Sequence, residues 1–198
     1  MITNILAVDP GVSGAAVSLD IETFCEGAPR FHVWSISTGK PDAHDVSRWL
    51  HPRREPINLF VMERQNIRVG KDSAFMVSTI AELHRTMGRW DVIAERPGFA
   101  DKVLELGWND IKALVEPFLA TRRTPEFHIE RVAKAVAHPF PPKKKVSQLK
   151  FKAAEAVAKL LPPEQIETHF INRDGFFRDG PCDAFLLGVG AWLKEGKL

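Results

Sequence analysis

The chain has 198 residues, 44% of them hydrophobic and 26% charged, with a formal net charge of +2. That is the length and balance of one globular domain with a sizeable core, which excludes a disordered, low-complexity or fibrous chain. No stretch approaches the roughly 18 consecutive apolar residues of a membrane span, and no N-terminal segment has the apolar core of a signal peptide, so a cytoplasmic protein is expected. Cys25 and Cys182 lie far apart without metal-ligand spacing and are expected as reduced thiols.

Residues 5–8 form a short apolar run that ends in Asp9-Pro10-Gly11-Val12-Ser13-Gly14, and apolar character resumes over 15–19. Apolar runs on either side of Pro and Gly predict a hairpin of two buried strands. Partial alternation over 30–36 predicts a third strand after a turn at 25–29, and three such strands make an antiparallel meander. Residues 41–50 read as a helix with Val46, Trp49 and Leu50 on one side, ended by Pro52 and Pro56. Residues 57–62 are a second strongly apolar run closed by Glu63, the pattern of a parallel central strand. After a polar loop, a helix is predicted over 72–87, with Ala74, Val77, Ile80, Ala81 and His84 on one face and Asp72 or Ser73 as its N-cap.

Residues 89–125 are less regular. Residues 91–94 fit a short strand or a helix tail, 100–120 look mostly helical despite Gly107 and Pro117, and 127–136 fit either type. Pro139, Pro141 and Pro142 mark a loop. An amphipathic helix follows over 147–161, burying Phe151, Ala154, Val157, Ala158 and Leu161, and Pro162-Pro163 stops it. A short strand is expected at 167–171, a loop at 172–179, and a last helix over 181–193 that buries Phe185, Leu186, Val189 and Trp192. The fold class is therefore α/β, with a mixed central sheet (a three-strand antiparallel meander plus parallel strands) flanked by helices.

Four acidic residues stand at element ends beside apolar runs: Asp9, Glu63, Asp179 and Asp183. A carboxylate at the inner end of a buried strand costs free energy unless it is paired, hydrogen-bonded or bound to a cation. Each alone has an ordinary explanation. Asp9 caps a turn, Glu63 is a charge at a strand exit, and Asp179 and Asp183 answer the dipole of a helix whose start Pro181 marks. Their conjunction points elsewhere. If the first strand and the 57–62 strand are adjacent and parallel, their ends bring Asp9 and Glu63 together, and a last helix across the sheet adds Asp183 and Asp179. Like charges that close are tolerable only with cations between them. Oxygen donors without His or Cys select Mg²⁺ or Mn²⁺, and two such ions about 4 Å apart suit phosphodiester cleavage.

Three segments carry a resemblance: Ile5-Leu6-Ala7-Val8-Asp9-Pro10-Gly11-Val12-Ser13-Gly14, Phe60-Val61-Met62-Glu63 and Asp179-Gly180-Pro181-Cys182-Asp183-Ala184. In order and type they resemble the RuvC-like Holliday junction resolvases, in their phage and divergent branch, within the RNase H-like (retroviral integrase) superfamily. Residues 142–145, prolines then lysines before an Ala-rich helix, are a weaker match. The resemblance runs along the whole chain except 96–125, expected as an insertion or divergent segment of a single nuclease domain spanning 1–198. It implies an RNase H-like fold, with Asp9, Glu63, Asp179 and Asp183 as catalytic ligands of two Mg²⁺ ions, Mn²⁺ substituting. Asp174 is the substitute for Asp179. It also implies a basic residue near the scissile phosphate, Lys144 or Lys145, with Lys143 next. The implied activity is paired symmetric nicking of four-way DNA junctions by a homodimer, with the 72–87 helix at its interface, in a bacterial or phage-infected cytoplasm.

Arg64, Gln65, Asn66, Arg68 and Lys71 follow Glu63 directly, and with Lys143 and Lys150 they make up the expected DNA-binding set. Cations serve the phosphates and amides the base or sugar edges. Phe75 and Met76 are candidates for wedging at the branch, though their helical spacing equally suits a core or a dimer interface. Rival functions are an RNase H-fold nuclease acting on flaps, other branched DNA or RNA–DNA hybrids, and a catalytically idle DNA-binding homologue. A phosphotransferase of the actin-like or sugar-kinase type also opens on an Asp-x-Gly hairpin, but this chain is short for it and shows no second phosphate hairpin.

Overall fold

The computed structural model describes residues 3–11, 14–26, 30–35, 45, 46, 48, 56–64, 74–96, 98–142 and 146–196, with 74–80 and 82 described by backbone alone. Asn4–Asp9 (β1) and Ala15–Asp20 (β2) pair antiparallel, with Asp9 opposite Ala15. β2 pairs antiparallel with Phe31–Ser35 (β3), which completes the meander. Ile5, Leu6, Ala7 and Val8 are all buried, as a strand covered on both faces requires. The connection from β2 to β3 is more than the turn expected at 25–29. Ile21–Cys25 form a short helix (α1), because Asp20 caps it by accepting from the Thr23 N–H and Phe24 packs edge-on against Trp192.

Ile57–Glu63 (β4) runs parallel to β1, with Val8 opposite Met62, so Asp9 and Glu63 emerge at the same edge of the sheet. A fifth strand, Ala100–Leu106 (β5), pairs parallel with β4 and gives the order β3-β2-β1-β4-β5. This corrects the helical reading of 100–120. As an edge strand, β5 leaves Asp101, Lys102, Val103 and Glu105 exposed, so it carries no period-two apolar signal. The helix begins only after Gly107, at Trp108–Ala120 (α3), and retains Pro117. The segment around 96–125 thus contributes the sheet's edge and a helix packed on the last helix.

Ala74–Ala94 form one long helix (α2), so residues 91–94 are its tail. Its described buried residues are Thr86, Trp90, Ile93 and Ala94, whereas Ala81 and His84, expected on the apolar face, are exposed. α2 covers Leu6, Val8, Phe60 and Met62 on one face of the sheet. Residues 45, 46 and 48 are helical with Val46 buried; Trp49, Leu50, Asp72 and Ser73 lie outside the described residues, as do the side chains of Ala74, Phe75, Met76, Val77 and Ile80.

The other face of the sheet, Ile5, Ala7, Leu59 and Val61, carries the last helix Asp179–Glu195 (α6), against which Gln148–Leu160 (α5) and α3 pack, with Glu130–Ala137 (α4) beside α5. Gly188 sets the spacing: a Cβ there would stand 3.3 Å from the Ala7 Cβ, so a small residue lets α6 lie close on β1. Two expectations fail on this side. Phe151 is 47% exposed and meets Phe140 edge-on, because α5 turns its alanines, Ala153, Ala154, Ala156 and Ala158, to the core. Residues 166–170 form a π-helical turn rather than a strand, since Ile166 and Phe170, four apart, are both buried; only Ile171 makes an isolated bridge, to Phe177. Among the described residues no helix is long and apolar enough to cross a membrane.

Candidate active site

Asp9 ends β1 at the point where the chain must reverse into β2. It is 8% exposed, and its Oδ1 accepts from the Gly11 N–H at 2.9 Å while the Gly14 N–H donates to the Gly11 carbonyl. The turn is so tight that a Cβ on Gly14 would fall 2.1 Å from the Asp9 carbonyl oxygen, inside any permitted contact. The glycine therefore holds the backbone that aims Asp9.

Glu63, at the parallel end of β4, lies beside Asp9 and acts on its carboxyl, opposing the rise that burial imposes on it. Asp179 opens α6 and Asp183 follows one turn later on the same side, so the close seating of α6 on β1 delivers both to Asp9. Lys150, from the first turn of α5, enters the same cluster: its Nζ is 2.9 Å from Asp179 Oδ2 and 3.5 Å from Asp183 Oδ2. Two of the four carboxyl groups thus face one ammonium.

Burial pushes the Asp9 carboxyl above the ordinary carboxylate range, with Asp179 adding to it, against the opposing pull of the Gly11 N–H, Lys150 and Glu63. Asp183 is pushed up to about 7, first by burial and then by Asp9 and Asp179, although Lys150 opposes the shift. Burial alone would lower Lys150, but its hydrogen bond to Asp179 and the charges of Asp183 and Asp179 raise it instead. Among the described residues, the buried Asp183 Oδ1 has no hydrogen-bond partner. An all-carboxylate donor set with an unmet buried oxygen and excess negative charge suits a hard divalent cation. As the side chains stand, however, no three His, Cys, Asp or Glu among the described residues are grouped to hold one ion.

Of the expected site residues, the structure brings Asp9, Glu63, Asp179 and Asp183 together. Asp174 is exposed in the turn after Asn172, where its N–H donates to Asn172 Oδ1. Arg64 is exposed at the exit of β4, with its Nε 3.6 Å from Glu105 Oε2. Gln65, Asn66, Arg68, Lys71, Lys143, Lys144 and Lys145 lie outside the described residues. Lys150, expected as a DNA contact, sits on the carboxylates; from the sequence it belonged to a charge run, and only the packing of α5 beside α6 distinguishes it.

The chain superposes on T. thermophilus RuvC in complex with Holliday junction substrate with a TM-score of 0.53, covering 98% of this chain and 96% of that one at 13% identity. The chain has the RuvC resolvase fold. The yeast mitochondrial Holliday junction resolvase Ydc2 gives a TM-score of 0.48 at 14% identity over 98% of this chain and 81% of that one. No protein-family model matches the sequence, and comparison with curated proteins finds no match. In this RuvC-like fold, Asp9 and Glu63 lie on the adjacent parallel strands β1 and β4, and Asp179 and Asp183 on the helix that crosses β1.

Proposed function

We propose that this protein is a metal-dependent, structure-selective endodeoxyribonuclease that resolves four-way DNA junctions by paired nicks, acting as a homodimer. The observation that carries this is the meeting of Asp9 and Glu63, from two parallel strand ends, with Asp179 and Asp183 of α6. They meet on the fold shared with a RuvC that was solved with Holliday junction substrate. Asp9, Glu63, Asp179 and Asp183 would hold two Mg²⁺ ions, with Mn²⁺ substituting. Bound there, the ions supply Lewis acidity that activates the attacking water and stabilises the leaving oxygen.

The chain's own groups do the rest. The Gly11 N–H fixes one oxygen of Asp9, so that carboxylate is oriented before substrate arrives. A carboxylate of the site helps to take the proton that the attacking water gives up. Lys144 or Lys145 adds positive charge near the phosphate, and Arg64, Gln65, Asn66, Arg68, Lys71 and Lys143 bind the flanking strands. A C₂ dimer matches the approximate two-fold axis of the junction and so yields symmetric nicks.

The test is side-by-side cleavage of synthetic four-way junctions, flaps, RNA–DNA hybrids and linear duplex, in Mg²⁺ and in EDTA. Paired nicks in the junction that vanish in EDTA are expected. Preference for flaps or hybrids would reassign the substrate, and inertness toward all four in both Mg²⁺ and Mn²⁺ would end the nuclease reading. Sedimentation with and without junction DNA tests the dimer.

A further inference from the structure

Lys150 stands where a cation is needed. It lies 2.9 Å from Asp179 and 3.5 Å from Asp183 and is half-buried. The other described cation at the start of α6, Arg178, is turned away, donating to the His169 carbonyl and to the Ser35 hydroxyl. With two of the four carboxylates facing the ammonium, no described trio is placed to hold an ion. We propose that Lys150 is an internal counter-cation that competes with divalent ions for Asp179 and Asp183, so that loading the site requires its ammonium to leave them. The inference rests on the metal-dependent function proposed above.

The side chain suits such an exchange. Lysine is a compact charge on a flexible four-carbon stem, and a 30% exposed one can swing outward while its helix stays in place. Without ions, it neutralises carboxylates that would otherwise repel one another across a buried space. With ions bound, the same ammonium is repelled by them and is released toward solvent, where the DNA phosphates would lie. Metal loading would then present a positive charge to the substrate, which couples the two binding events.

A purely structural lysine predicts the opposite sign. If Lys150 merely holds Asp179 and Asp183 in place, removing it disorders the ligands and weakens metal binding. Titration calorimetry with Mn²⁺ on DNA-free protein separates the two. Lys150→Met should bind Mn²⁺ at least about tenfold more tightly than wild type, the scale of deleting one nearby unit charge in a partly desolvated site. Lys150→Arg, which keeps the charge, should stay close to wild type. In thermal unfolding, Lys150→Met should melt lower than wild type in EDTA and gain more from added Mn²⁺. Should Lys150→Met fold poorly, Lys150→Gln serves in the same measurements. Equal or weaker Mn²⁺ binding by the neutral variants, with wild type binding normally, overturns the inference alone. Absence of Mn²⁺ binding in wild type and variants alike overturns the metal-dependent function and this inference with it.

Discussion

The two ends of the parallel strands are built on opposite principles. At the N-terminal end of β1, β4 and β5, Asn58 ties the strands together. Its Oδ1 accepts from the Thr3 N–H, the Thr3 hydroxyl and the Asn4 N–H, and its amide donates to Asp101 Oδ2. Several polar groups meet there and each has a partner. At the C-terminal end of β1 and β4, Asp179 and Asp183 share one ammonium, Asp9 and Asp183 are held above their ordinary values, and Asp183 Oδ1 has no hydrogen-bond partner among the described residues. A satisfied network stabilises and fixes register. A crowded one costs stability and persists where it serves a ligand or a reaction.

Substitutions can break that contrast from either end. The largest effect belongs to Asp183→Asn. It should reduce junction cleavage by about three orders of magnitude, several kcal/mol of transition-state stabilisation, while raising the melting temperature in EDTA at pH 8 because a buried like charge is gone. A fall in both activity and metal-free stability would make Asp183 structural. Next, Gly14→Ala should cost on the order of 3 kcal/mol and lower cleavage as well, since its Cβ would collide with the Asp9 carbonyl; denaturant unfolding reads the first and nicking rates the second. Asn58→Ala, at the satisfied end, should cost about 1–3 kcal/mol by stranding the Thr3 and Asn4 N–H groups, yet leave cleavage per folded molecule as in wild type.

The smallest effect is in pH. Asp183 takes up its proton in the folded protein at about 7, against an ordinary value of 3.8. The folded state therefore binds more protons than the unfolded state between those values. Metal-free stability is greatest at the acid side and declines as pH rises through about 7. The expected loss from pH 5 to pH 8 is roughly 1–2 kcal/mol, less than the full shift implies because neighbouring carboxylates share the titration. Unfolding in EDTA across that range should show a steeper slope in wild type than in Asp183→Asn, where the raised Asp9 carboxyl still contributes.

Much of the site could be read from the sequence because it is built from local signals. The Asp9 turn needs a glycine at 14 for space, Glu63 closes an unbroken apolar run, and Asp179 and Asp183 share one helical face. What could not be read depends on packing. β5 looks helical in sequence because an edge strand leaves alternate and intervening side chains exposed together. Phe151 looks like core because helical spacing does not say which face is buried, and α5 resolves that with its alanines. Lys150 shows the limit most clearly: nothing in its neighbourhood marks it off from Lys143, Lys144 and Lys145, and only α5 lying beside α6 places its ammonium on Asp179 and Asp183.

Asp9 is proposed to anchor a metal-dependent nuclease site. The most direct measurement is cleavage of a four-way junction in Mg²⁺ by Asp9→Asn beside wild type, with binding of the same junction measured in parallel. The variant should bind the junction much as wild type does and leave it uncut. Nicking by Asp9→Asn at the wild-type rate would contradict this role for Asp9.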